Sequence, residues 1–182
     1  NGNRRLNVMF GDLCYFNRQM IHTQYVPLAI ANIAQYAKQK FGDKINVSLI
    51  KNVDKFLDQA AQNPPDVVGL SVYFWNIAIN QYLIKCLREM FGKNVIIILG
   101  GPSIDSDAQE QRRYLSTVFP GADALTLNEG EVSFSNIIEK ILGNRETVFK
   151  DPIDGAMFLD GDRLIQGPPI GLTMDLSTMG SP

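Results

Sequence analysis

Asp66-Val67-Val68-Gly69-Leu70-Ser71-Val72-Tyr73, followed across residues 74–99 by Gly100-Gly101, decides the fold. Asp66 to Leu70 reads as a buried strand entered from Pro64-Pro65. Asn94-Val95-Ile96-Ile97-Ile98-Leu99 reads as a second strand, continuously apolar as a strand covered on both faces must be. Between them the spacing predicts a helix over Ile77 to Phe91, with Ile77, Leu83, Ile84, Leu87 and Phe91 on its inner side. A strand–helix–strand unit of this length makes the two strands parallel neighbours joined by a right-handed crossover. Ser71-Val72-Tyr73 and Gly100-Gly101 then fall together at the carboxyl edge of the sheet, where open α/β sheets take their ligands. Without side chains, Gly100 and Gly101 let a bulky group come close to the backbone, or simply form a tight turn.

The same alternation extends both ways. Upstream, Leu6 to Phe10 is a short strand closed by Gly11, and a long loop follows, Asp12 to Tyr25. Pro27 opens a helix carrying Leu28, Ile30, Ala31, Ile33, Ala34 and Ala37, ended by Gly42. Ile45 to Ile50 is a strand, and Val53 to Ala60 a short helix stopped by Asn63-Pro64-Pro65. Downstream come a polar helix over Asp107 to Val118, a strand over Asp123 to Leu127, and a helix over Glu131 to Leu142. This β-α alternation predicts an α/β, flavodoxin-like doubly wound five-stranded parallel sheet of order 2-1-3-4-5. Residues 1–144 form that domain. Residues 145–182 are expected to hold a β-hairpin, Ala156 to Leu159 and Arg163 to Gln166 about Asp160-Gly161-Asp162, then a Gly/Pro/Ser/Thr-rich linker.

Composition narrows the class of function. The chain has 182 residues, 45% of them hydrophobic, and a formal net charge of −2, which suits one globular domain. No cluster of Lys and Arg points to nucleic acid, and no apolar run approaches the ~18 residues of a membrane span. Cys14 and Cys86 are expected to be reduced thiols in a cytoplasmic protein, and the lone His22 offers no local metal-ligand pattern. Asn1 in place of an initiator Met reads as the start of an excised or processed piece.

With these motifs in register, the chain resembles the cobalamin (vitamin B12)-binding domain found at the N-terminus of B12-dependent radical SAM enzymes. That family's general pattern is D-x-H-x-x-G, then S-x-L, then G-G. Ser71-Val72-Tyr73 stands at S-x-L with Tyr replacing Leu, and Gly100-Gly101 stands at G-G. The first motif falls on Gln24-Tyr25-Val26-Pro27-Leu28-Ala29, which lacks its Asp, His and Gly. A Pro-rich opening there, and Glu129-Gly130-Glu131 after the fifth strand, are similar to the radical SAM subgroup.

The resemblance implies cobalamin contacts from Tyr25, Val26 and Pro27, from Ser71, Val72, Tyr73 and Asn76, from Gly100, Gly101 and Pro102, and from Glu129, Gly130 and Glu131. It places the dimethylbenzimidazole tail in a slot beside the sheet, near Ser71, with no histidine under cobalt because Val26 holds that place. Either Gly100→Val or Gly101→Val is expected to abolish retention of the corrin while leaving the fold intact. Tyr73-Phe74-Trp75 either lines the corrin edge or caps the sheet end. Glu129 and Glu131 either border the cofactor or complement the helix dipole. The resemblance further implies a C-terminal radical SAM domain of the same polypeptide, holding a [4Fe-4S] cluster and S-adenosylmethionine, with methyl transfer or a related radical reaction as the parent activity. This chain carries no Cys-x-x-x-Cys-x-x-Cys of its own. Two alternatives stand beside that reading. One is a degenerate module that serves as an interaction platform. The other is a flavodoxin-like FMN or nucleotide domain, against which the bulky Gly11 to Phe16 loop counts.

Overall fold

The computed structural model describes residues 4–15, 27–104, 107–128 and 130–171. Among the described residues, seven strands form one sheet of order β2-β1-β3-β4-β5-β6-β7. They are β1 (Leu6–Gly11), β2 (Ile45–Ile50), β3 (Val67–Ser71), β4 (Ile96–Gly100), β5 (Ala124–Thr126), β6 (Ala156–Asp160) and β7 (Arg163–Gln166). The first five are parallel, in the expected order. The hairpin, however, is no appendage to a five-stranded sheet. β6 pairs antiparallel with β5, and β7 with β6. The reason lies in Ala156, Met157 and Phe158, which are apolar on alternate faces and fully buried on both. Pairing them with β5 covers an edge that would otherwise expose a row of backbone groups.

Helices cover both faces. α1 (Leu28–Phe41) and α5 (Gly130–Asn144) pack on one, and α2 (Val53–Gln62), α3 (Ile77–Phe91) and α4 (Ala108–Arg113) on the other. The faces divide strictly by strand alternation: Val67, Ile96 and Ile98 go to the α1/α5 side, and Val68, Ile97 and Leu99 to the other. In α1 the buried stripe is Ile30, Ala34, Ala37 and Phe41, and in α5 it is Phe134, Ile137, Ile138 and Ile141. In α3 the predicted inner residues Ile77 and Phe91 are only half-buried; Ile79 and Asn80 are buried with Leu83, Ile84 and Leu87 instead. Each fully buried leucine here stabilises the fold by about 1.5–3 kcal/mol.

The polar helix predicted to run from Asp107 to Val118 is shorter. Asp107 caps it, its carboxylate accepting from the Gln109 and Glu110 N–H groups. After Arg113 it widens into a π turn over Tyr114–Val118, closed by the Phe119 N–H donating to the Tyr114 carbonyl. Cys14, buried, and Cys86, half-buried, are both free thiols. No helix among the described residues is long and apolar enough to cross a membrane.

Candidate functional site

The order 2-1-3-4-5 puts a topological switch point between β1 and β3. There, on the α1/α5 face, a crevice of about 560 Å³ opens at the carboxyl edge. That size is typical of small-molecule sites, roughly 300–1,000 Å³. Its floor is Phe10 from β1, Gly69 and Ser71 from β3, Ile98 and Gly100 from β4, and Thr126 from β5. Ile30 and Ile33 of α1 form one wall; Gly130, Glu131 and Phe134 of α5 form the other. Gly69 decides the depth. A Cβ there would lie 2.8 Å from the Phe10 ring and 3.0 Å from that of Phe134. Glycine therefore lets these two rings, 4.8 Å apart and tilted by 44°, close the bottom of the crevice over the strand.

Strand register sets a row across the sheet at the mouth. Ser71 pairs with Gly100. Leu99 pairs with Leu125, so Gly100 stands level with Thr126. Gly11 pairs with Leu70, so Asp12 stands level with Ser71. Thr126 Oγ1 donates to the Leu99 carbonyl at 3.3 Å, and a Cβ on Gly100 would come within 2.6 Å of that hydroxyl. Asp12 is 3% exposed, and its Oδ2 has no hydrogen-bond partner. Burial pushes its carboxyl above the ordinary aspartate value, against the pull of Lys51.

The two glycines have separate tasks. Gly101 has φ of +120°, and a Cβ on it would lie 2.7 Å from the Val72 carbonyl oxygen and 2.8 Å from the Val72 nitrogen. The ends of β3 and β4 close here, with the Val72 N–H donating to the Gly100 carbonyl at 2.7 Å. The second glycine thus serves the backbone of the next strand, and the expectation that Gly101→Val leaves the fold intact does not survive this contact. Gly100 is the one whose missing side chain opens onto the crevice.

The structure gathers Ser71, Gly100, Gly101, Pro102, Gly130 and Glu131 around the crevice. It does not bring Val72, Tyr73 or Asn76 among its lining. Val72 is buried in the opposite, α2/α3 core. Asn76, fully buried, is a staple: its Nδ2 donates to the Leu13 and Ser71 carbonyls, and its Oδ1 accepts from the Tyr73 N–H and from Asn80 Nδ2. Asn80 Nδ2 also reaches the Ser71 carbonyl, at 3.0 Å. Ser71 is thereby held through its backbone from behind while strand alternation turns its side chain toward the crevice. Tyr73 stacks on Trp75 at 4.4 Å, and Phe74, 78% exposed, meets Trp75 edge-on. Pro27 stands at the start of α1, its carbonyl accepting from the Ala31 N–H. A Cβ on Gly130 would lie 2.5 Å from Ile33 Cδ1, so this glycine lets α1 and α5 approach. Tyr25, Val26, Glu129, His22 and the linker from residue 172 lie outside the described residues.

Gly69, Thr126, Asp12 and Asn80 were not singled out from the sequence. Gly69 carried a signal, a glycine inside an otherwise branched strand. Asp12 and Thr126 become visible only through the cross-strand register.

Five parallel strands in doubly wound order, with a crevice at their switch point, define a flavodoxin-like α/β domain. The B12 binding domain family matches residues 19–138, and the chain belongs to it. It is similar to the cobalamin-dependent radical SAM methyltransferase TokK of Streptomyces tokunonensis, 25% identical over 79% of this chain and 21% of that protein. It is also similar to the uncharacterized methyltransferase PH0819 of Pyrococcus horikoshii, 22% identical over 91% of this chain and 35% of that protein. The chain thus spans between a fifth and about a third of the length of these relatives. Among solved structures, the cobalamin-dependent S-adenosylmethionine radical enzyme OxsB shares the fold at a TM-score of 0.69 and 18% identity, over 93% of this chain and 23% of that one. A cobalamin-binding protein from Desulfitobacterium hafniense shares it at 0.55 and 15% identity, over 76% of this chain and 59% of that one. The chain is a cobalamin-binding domain related to B12-dependent radical SAM methyltransferases. Its residues suit that cofactor: Gly100 clears space beside Thr126 that a side chain would fill, Phe10 and Phe134 close over Gly69 as an apolar floor, and polar Ser71 and Thr126 line the crevice.

Proposed function

We propose that this domain holds cobalamin with its nucleotide tail in the crevice beside Gly69, Ser71 and Gly100, and presents the corrin at the carboxyl edge to a radical SAM domain of the same polypeptide. The row Ser71–Gly100–Thr126 at the mouth of the crevice carries this reading. When bound, the cofactor supplies the group-transfer chemistry at cobalt. The chain's own residues bind and orient. Gly100 leaves room for a flat aromatic ring, Ser71 offers a hydroxyl to the ring nitrogen, and Phe10 and Phe134, packed over Gly69, exclude water beneath it. By engaging that nitrogen, Ser71 would keep the benzimidazole from cobalt. Val26, at the register of the family's axial His, has no lone pair to replace it. The stacked Tyr73 and Trp75, with exposed Phe74, form an apolar platform at the same edge, suited to the corrin rim or to the partner domain. The [4Fe-4S] cluster, S-adenosylmethionine and methyl transfer belong to that partner domain.

The test is retention of hydroxocobalamin after desalting, read by its visible spectrum. Wild type is expected to retain it. Gly100→Val, whose side chain enters the slot beside Thr126, is expected to lose it at an unchanged far-UV circular dichroism spectrum. Reduced, bound cofactor should give an electron paramagnetic resonance spectrum without nitrogen splitting from below, unchanged in His22→Ala. A wild-type protein that emerges colourless sinks the proposal.

A further inference from the structure

Asp12 is out of keeping with the rest of the interior. Gly11 and Leu13, on either side of it, face the α2/α3 core, since a Cβ on Gly11 would meet Leu70 and Phe56 while Leu13 packs within that core. The Asp12 N–H continues the β1–β2 ladder by donating to the Ile50 carbonyl at 3.2 Å, so the chain is still extended here. Alternation therefore turns the Asp12 side chain to the α1/α5 face, level with Ser71 and Gly100. There it is 3% exposed with Oδ2 unpartnered. A buried acceptor without a donor is costly, and such a group persists where something else completes it.

Resting on the reading of the crevice as a cobalamin site, we propose that Asp12 is a binding residue whose Oδ2 accepts a hydrogen bond from an N–H or O–H donor of the bound cofactor. Cobalamin offers two sources of such a donor: the side-chain amides on the corrin rim, and the sugar hydroxyl of the nucleotide tail. The site is thus selective for ligands that bring a donor to the β1–β3 side of the mouth. Ser71, Gly100 and Thr126, which line the crevice, extend the same row across the next three strands, so a ligand in the crevice that reached past Ser71 toward β1 would come to Asp12.

The proposal separates affinity from stability. Removing a structural carboxylate weakens the fold, whereas removing one that waits for a ligand does not. The experiment measures dissociation constants for hydroxocobalamin and for dicyanocobinamide, which lacks the nucleotide, alongside the thermal midpoint of ligand-free protein. Asp12→Leu is expected to weaken hydroxocobalamin binding at least tenfold while leaving the ligand-free midpoint equal to or above wild type. Asp12→Asn, which keeps one carbonyl oxygen, should lose less. A penalty that persists with dicyanocobinamide assigns the donor to the corrin amides; one seen with hydroxocobalamin alone assigns it to the nucleotide. Both support the proposal. Wild-type affinity in both variants overturns it, as does a lowered ligand-free midpoint in Asp12→Leu with wild-type affinity in Asp12→Asn. If wild type binds neither corrinoid, the cobalamin reading itself fails, an outcome distinct from either of these.

Discussion

At the amino edge of the sheet, Asp66 precedes β3 and accepts from the Asn7 N–H of β1 at 2.8 Å, from Arg4 at 3.1 Å, and faces Arg145 at 3.6 Å. Asp123 repeats the device ahead of β5, accepting from the Ile97 N–H of β4 at 2.8 Å and from Arg88, with Lys93 nearby. Each carboxylate clips the neighbouring strand and is itself saturated. At the carboxyl edge the counterpart is Asp12, just past β1, whose Oδ2 has no hydrogen-bond partner. Local rules are thus satisfied where the sheet is only being held together. They are broken at the carboxyl edge, by the unpartnered Oδ2 of Asp12, the missing side chain of Gly100 and the exposed Phe74. One edge holds the strands together, and the other holds the crevice at the switch point.

If that division is right, the largest loss of stability comes from the amino edge. Besides Asp123, the Arg88 guanidinium donates to the Gly121, Gly92 and Val95 carbonyls, at 2.8, 2.7 and 2.7 Å. Arg88 and Asp123 are only 16% and 14% exposed. Arg88→Ala strands the carboxylate and the carbonyls together, and should cost about 3 kcal/mol in urea unfolding with cobalamin affinity unchanged in the folded protein. A loss below about 1 kcal/mol would mean that the clip is ornamental and the comparison fails at its stable end.

Gly101→Val sharpens the boundary between the two roles. It forces a β-branched residue to φ of +120° against the Val72 backbone, and should cost about 2 kcal/mol of stability. Gly100→Val, one residue earlier, meets only the end of a side chain, Thr126 Oγ1, and should cost less stability while abolishing retention of cobalamin. Paired unfolding and retention measurements decide it. Equal stability in the two variants would show that both glycines serve the cofactor alike.

This pair also marks where the sequence is legible. Apolar runs and helix stops disclosed five parallel strands, their order and the crossovers, because buried strands and amphipathic helices carry their burial in their period. The hairpin was legible from Asp160-Gly161-Asp162, but not its pairing with β5, since a sequence does not say which edge a hairpin covers. Glycines at 100 and 101 look alike in a sequence. Only the backbone of Val72, brought near by β3–β4 pairing, separates their tasks. Asn76 was expected at the cofactor, yet it binds Leu13 and Ser71 from behind. A polar residue after a strand reads the same whether it faces a ligand or a carbonyl. Asp12 stayed unnoticed because its meaning depends on a row formed by four strands.

The smallest effect concerns pH and tests the unsatisfied end of the comparison directly. Burial raises the Asp12 carboxyl above its ordinary value, with Lys51 opposing. The folded state therefore holds that proton more tightly than the unfolded chain. The stability this contributes is present in full below the ordinary aspartate range and is lost as pH rises through the folded value. Glu139 behaves oppositely. Its hydrogen bond from Lys40 lowers its value, so its contribution is present above the ordinary glutamate range and is lost as pH falls. The wild-type curve sums such terms, so the informative quantity is the difference between wild type and Asp12→Asn, whose side chain does not titrate. Urea unfolding of ligand-free protein from about pH 3 to about pH 7 should show wild type losing ground to Asp12→Asn as pH rises. A flat difference would mean that the carboxylate is no worse placed folded than unfolded. A difference of opposite slope would mean that it is as well satisfied as Asp66, and the contrast between the two edges would be gone.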